Sequence, residues 1–185
     1  VEARTDDWMA LRAAKGVMIT TEAQPRAGGK QLDMTAAIAQ LEKALSLAMT
    51  LQQSALTAGA SNVETDRQNA LSQTLSHLAE PGILAYGKSG IAQVTPDSLQ
   101  LSAGKDLIAT AGGNASVNVV KKFSLAVGEK LSLFTRKLGI QMIAGAGDIT
   151  TQAQRGEMHM LSQQDFTLTS TAGKMNGSAR KGMQF

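Results

Sequence analysis

From Leu99 to the end of the chain, an apolar residue opens a new strand-like unit every eight or nine positions. The units start at Leu99, Leu107, Ala115, Phe123, Leu131, Ile140, Ile149, Met158, Phe166 and Met175. A period that short holds one strand and one tight turn and nothing more, so each unit can bury its apolar face only by stacking on neighbours. Side chains of a strand alternate between its two faces. On one face the first and third positions pair Leu99 with Leu101, Leu107 with Ala109, Ala115 with Val117, Phe123 with Leu125 and Leu131 with Leu133. The series continues with Ile140 and Met142, Ile149 and Thr151, Met158 and Met160, and Phe166 and Leu168. The fifth position is mostly small, and the second and fourth are mostly polar, as in Gln100/Ser102, Thr150/Gln152 and Thr167/Thr169. This is the alternation of a half-buried strand. The turns between units are rich in glycine, asparagine and aspartate, which tolerate the positive φ angles of sharp corners.

Two constructions satisfy the pattern. One chain can coil as a solenoid with about three units per turn, but ten units then make only about three turns, a poor core for a repeat protein. Alternatively, three chains wind about one axis, and ten layers spaced at about 4.8 Å build a prism roughly 48 Å long. The intertwined trimer is the better fit; an ordinary sandwich or barrel wants longer strands and less regular spacing. The expected fold is therefore mainly β, an intertwined trimeric β-prism (a triple-stranded β-helix) preceded by a helical hairpin. The expected trimer core is Leu99, Leu101, Leu107, Val117, Phe123, Leu125, Leu131, Leu133, Ile140, Met142, Ile149, Met158, Met160, Phe166 and Leu168.

Composition agrees with a core of small residues in register. Of 185 residues only 3% are aromatic, glycine numbers 18 and proline three. The net charge of +3 is too low and dispersed to imply nucleic acid. Cysteine is absent, which excludes disulfides and thiolate metal sites. The first residues are charged and do not read as a signal peptide, and no apolar run approaches membrane-spanning length. The chain starts without Met inside a strand-like pattern and is expected to be a piece of a longer polypeptide.

Upstream of the repeat, residues 1–32 read as an extended junction with Gly16 to Thr21 as its best strand. Residues 33–80 read as a helical hairpin, too small to stand alone. In its first helix, over 34–57, Met34, Ile38, Leu41, Leu45 and Ala48 form an apolar stripe, with Asp33 as the starting cap and Gly59 as the stop. In the second, Ser61-Asn62-Val63-Glu64 reads as a capping box, Leu71, Leu75 and Leu78 as the apolar face, and Pro81 as the end. Residues 81–97 read as a linker and 98–185 as the repeat.

Few residues here suggest chemistry. Gly82-Ile83-Leu84-Ala85-Tyr86-Gly87-Lys88-Ser89 matches the phosphate-binding loop pattern, yet a strand-like run follows where that loop needs a helix. His77 and His159 are isolated and make no metal site. Asp106, Asp148, Glu157 and Asp165 precede strand starts, where turn capping explains them better than calcium. Asn114-Ala115-Ser116 and Asn176-Gly177-Ser178 fit the glycosylation pattern but fall inside the repeat. No catalytic constellation emerges, so neither enzyme nor cofactor is expected. Among outward positions, Ile108, Phe134 and Leu161 are apolar and fall three units apart. At one third of a turn per unit they share a face, about 14 Å apart, as a docking surface for the hairpin or for another protein.

The order of segments resembles one family. Asp6-Asp7-Trp8-Met9-Ala10-Leu11-Arg12-Ala13-Ala14-Lys15-Gly16-Val17-Met18-Ile19-Thr20-Thr21, then Gln31-Leu32-Asp33-Met34, then Gly90-Ile91-Ala92 leading into Thr95-Pro96-Asp97-Ser98-Leu99-Gln100-Leu101-Ser102-Ala103-Gly104 look like the C-terminal extension of VgrG proteins, trimeric spikes of bacterial type VI secretion systems. The resemblance spans nearly the whole chain. It implies a homotrimeric β-prism in a puncturing needle, joined to the rest of VgrG and the tail tube at its base. It also implies a PAAR-type tip protein and toxin effectors as partners, with assembly in the bacterial cytoplasm and secretion into a target cell or the medium. It brings no catalytic residues. The alternatives are a monomeric β-solenoid adhesin or carbohydrate-binding module, which predicts a monomeric mass, and a phage tail-spike needle. A β-helical polysaccharide enzyme would need a carboxylate cluster on one face, and the acids here are scattered.

Overall fold

A glycine at each end of a long chain excursion lets two short strands meet. The computed structural model describes residues 2–24, 32–62, 64–76, 78 and 80–182. Its elements run β1 (Val17–Thr20), α1 (Thr35–Thr57), α2 (Thr65–Ser76) and β2 (Ile83–Tyr86). β1 and β2 pair in parallel, Val17 opposite Ile83 through Thr20 opposite Tyr86. The Val17 N–H donates to Gly82 O at 2.9 Å, and the Lys88 N–H donates to Thr21 Oγ1 at 3.0 Å, closing the ladder at both ends. Gly16 opens it at φ +119°, where a Cβ would lie 2.8 Å from Gly82 O. β2 thus lies inside the segment read as linker.

Between the strands stands the helical hairpin. Asp33 Oδ1 accepts from the Thr35 N–H at 3.1 Å and the Thr35 hydroxyl at 2.7 Å, one residue ahead of the cap position at Met34. At the other end Gly59, at φ +73°, donates to Leu56 O, and the Ala60 N–H donates to Ala55 O at 2.9 Å. These two bonds satisfy the last carbonyls in the pattern a glycine stop allows.

The helices meet through small residues. Ala37, Ala48 and Ala55 are the buried residues of α1, and Thr65, Ser72 and Ser76 those of α2. Small side chains let two helix backbones approach closely, which leucines on both faces would prevent. This corrects the expected apolar face of α2. Leu71 is exposed, while Leu75 and Leu78 turn to the strand junction, where a Cβ on Gly82 would sit 3.1 Å from Leu75 Cδ2. The capping box is also replaced. Ser61 Oγ is buried without a partner among the described residues. Instead, the Gln52 amide of α1 donates to Asn62 Oδ1, and its oxygen accepts from the Thr65 hydroxyl at 2.9 Å.

Beyond β2 the chain makes no further strand ladder among the described residues. It runs extended between sharp bends at 88–89, 96–97, 104–105, 112–113, 120–121, 128–129, 136–138, 145–147, 154–156, 163–164, 171–173 and 180–181. The spacing is eight residues in the first half and about nine in the second. Each of the ten apolar unit starts from Leu99 to Met175 comes two residues after a bend. The bend at 88–89 adds an earlier unit, opening at Ile91, in the span read as linker.

The chain divides into two compact units, Val1–Ile140 and Gln141–Phe185. The first holds both helices, both strands and the repeat up to Ile140. The second is repeat alone; there the Ser162 hydroxyl donates to the carbonyls of Gln164 and Asp165, both at 3.1 Å.

Candidate functional site

The repeat carries a series of regularly spaced apolar side chains that the chain itself leaves uncovered. All fifteen residues read as core are exposed, from 51% at Met158 to 73% at Leu107 and Val117. Several apolar residues at bends or on the opposite strand face are barer still: Ile143 84%, Val94 91%, Leu138 97%, Leu161 100% and Val120 102%, whereas Ile108 and Phe134 are half-buried. Altogether the chain exposes 18067 Å². A folded monomer of 19.3 kDa presents about 8,500 Å², so the chain exposes about twice the surface of a compact protein of its mass. Bare ladders of backbone and apolar side chains are unstable in water and template pairing with further chains.

The three outward apolar residues separate in their surroundings. Ile108 is half-buried and lines a hollow of about 360 Å³ with Leu47, Ala48 and Leu51 of α1 and Gln68 of α2. The Gln68 amide also donates to Thr110 Oγ1 at 3.3 Å, tying α2 to the same strand. Phe134 is half-buried as well. Leu161 belongs to the second unit and is fully exposed. Sequence periodicity had no means to find Gln68 or the hollow, because both arise from contacts more than 40 residues apart.

The phosphate-loop match does not fold as one. Ile83 to Tyr86, its intervening residues, form β2, and the Gly90 N–H donates to Gly87 O in a tight turn followed by extended chain. No helix N-terminus follows, so backbone amides do not converge on an anion. Glycine at 87 is required by that turn, since a Cβ there would lie 2.3 Å from Gly90 O. His77 lies outside the described residues. His159 Nε2 sits 3.0 Å from Glu157 Oε2 with both groups exposed, a surface pair worth little. Among the described residues no group of three metal-ligating side chains gathers. The carboxylates of Asp106, Asp148 and Asp165 make no turn cap among the described residues; in the turn before Phe166 the Ser162 hydroxyl donates to the carbonyls of Gln164 and Asp165 instead. No helix among the described residues is long and apolar enough to cross a membrane.

Comparisons with known proteins lead to the same place as the ladder. Residues 70–185 match the family described as "Uncharacterized protein conserved in bacteria (DUF2345)". Residues 1–55 match "Putative type VI secretion system Rhs element Vgr". The chain is 30% identical over 183 residues to the type VI secretion system spike protein VgrG2a of Pseudomonas aeruginosa, covering 92% of this chain and 22% of that protein. VgrG2b of the same organism is 30% identical over 183 residues, with 92% and 18% covered, so the chain spans about a fifth of the length of these curated relatives. Among solved structures, the VgrG spike from the type 6 secretion system aligns with TM-score 0.93 and 36% identity, over 97% of this chain and 68% of that one. A VgrG spike with a bound Tle1 effector aligns with the same score and identity, over 97% and 56%. The regular bends, the unpartnered ladder and these matches converge on one conclusion: the chain belongs to the VgrG family of type VI secretion spike proteins.

Proposed function

We propose that this chain is a shaft segment of a type VI secretion spike, in which three copies braid into a β-prism about the Leu99-to-Leu168 ladder. The observation that carries the reading is that ladder: fifteen apolar side chains, alternating with polar ones, bend by bend, and none covered within the chain. Strands of a single-chain solenoid would pair with strands about three units on, and among the described residues they do not. In a braid, each strand's partners come from the other two copies. No lateral edge then remains free, and bending or unravelling must break backbone ladders of all three chains together. That mechanical property suits a needle driven through an envelope, and the role calls for no catalytic group.

The partners follow from the same reading. A spike of this family needs the remainder of VgrG and the tail tube at its base. A PAAR-type protein would cap its tip, and toxin effectors would ride on it; one VgrG spike is solved with a Tle1 effector bound. We propose effector carriage for this chain as well, with assembly in the bacterial cytoplasm and delivery into a target cell or the medium.

Light scattering coupled to gel filtration tests the reading. The expected mass is about 58 kDa, three times 19.3 kDa. A well-folded 19.3 kDa particle at working dilution would refute it.

A further inference from the structure

The repeat is not evenly charged. Between Lys121 and Lys137 stand five cations, Lys121, Lys122, Lys130, Arg136 and Lys137, against the single anion Glu129, a net +4 in a chain whose total is +3. The rest of the repeat, 88–120 and 138–182, nets only +1, with six cations against five anions. The five cations lie at or beside three successive bends, 120–121, 128–129 and 136–138. All five are exposed, and among the described residues none is paired with an acid.

Two apolar residues flank the cluster at its ends. Val120 adjoins Lys121 and Leu138 adjoins Lys137; both lie in bends and are 102% and 97% exposed. Cations flanked by exposed aliphatic side chains combine the two attractions of an anionic membrane surface, charge and apolar burial.

We infer that these three bends form a basic belt that engages the anionic surface of a lipid bilayer. The inference rests on the three-chain reading, which repeats each bend at three corners of the same layer. Three copies then bring about +12 into three layers spaced at about 4.8 Å, within a Debye length of one another, so their potentials add. Lipid fits better than an acidic protein because of Val120 and Leu138: cations attract phosphate headgroups while neighbouring aliphatic groups enter the acyl boundary.

Flotation with vesicles tests the belt, with the mass of the same sample measured alongside. The chain is expected to float with phosphatidylcholine vesicles containing about 30% phosphatidylglycerol and not with pure phosphatidylcholine, and to detach as salt rises. The variant K121S/K122S/R136S/K137S is expected to bind roughly tenfold or more weakly. V120S/L138S is expected to weaken binding at unchanged charge, and R4S/K15S/K43S/R67S to bind as the parent does. A trimer that ignores anionic vesicles overturns the lipid assignment alone, as does binding untouched by loss of the four belt cations. Belt-dependent binding to polyglutamate without flotation assigns the belt to an acidic protein and overturns it too. A 19.3 kDa particle overturns the three-chain reading and the ring with it.

Discussion

At the scale of single residues, the junction of the two strands is held by Gly16 and Gly82. Gly16 must adopt φ +119° and leave room for Gly82 O, which accepts the Val17 N–H at 2.9 Å. Gly16→Ala brings a Cβ to 2.8 Å from that oxygen in a backbone region L-residues avoid, at a cost of about 1–3 kcal/mol. Faster amide exchange across Val17 to Thr20 and a lower unfolding midpoint are expected. Gly59→Ala is the instructive contrast. Its φ is +73° but nothing lies within 4 Å of the added carbon, so the loss is confined to about 1 kcal/mol of backbone strain. The stop at Gly59 was legible in the sequence, and the start of α1 to within one residue, since Asp33 bonds Thr35 from just ahead of the cap position at Met34. The need for glycine at 16 was not, because the atom it avoids is 66 residues away.

Among elements, the helical hairpin shows where pattern reading loses its grip. A stripe through Met34, Ile38, Leu41, Leu45 and Ala48 locates α1 well, since helical period is a local property. It does not say which part of a broad apolar surface meets which neighbour. The buried residues of the hairpin are small ones, Ala37, Ala48 and Ala55 in α1 and Thr65, Ser72 and Ser76 in α2, while Leu71 is left outside. Ile108 lines one hollow with Leu47, Ala48 and Leu51 of α1, and the Gln68-to-Thr110 bond lies beside it, so we propose Ile108 as a seat for the hairpin on the repeat. Ile108→Ser is expected to loosen that seat by about 1 kcal/mol, a half-buried aliphatic contact. Hydrogen exchange should quicken in α1 and α2 while the particle mass stays that of the parent. Unchanged protection would show that Ile108 does not hold the hairpin.

For the whole molecule, the decisive quantity is uncovered apolar surface. If Leu133 points to a common axis, Leu133→Asp places three carboxylates in one dry layer, each costing several kcal/mol. The expected outcome is loss of the large particle on gel filtration. Ser132→Asp, one position along and on the other strand face, should leave it intact. Equal effects of the two would refute the assignment of faces. By itself, the sequence determined the rhythm of the chain: turn residues act locally, so every apolar unit start from Leu99 to Met175 could be placed two residues after an observed bend. Only the tertiary structure decided that β1 pairs with β2 in parallel and that the Gln68 amide of α2 meets Thr110 of the repeat. Those outcomes depend on contacts between distant segments, and alternation along a strand carries no record of which partner it will meet.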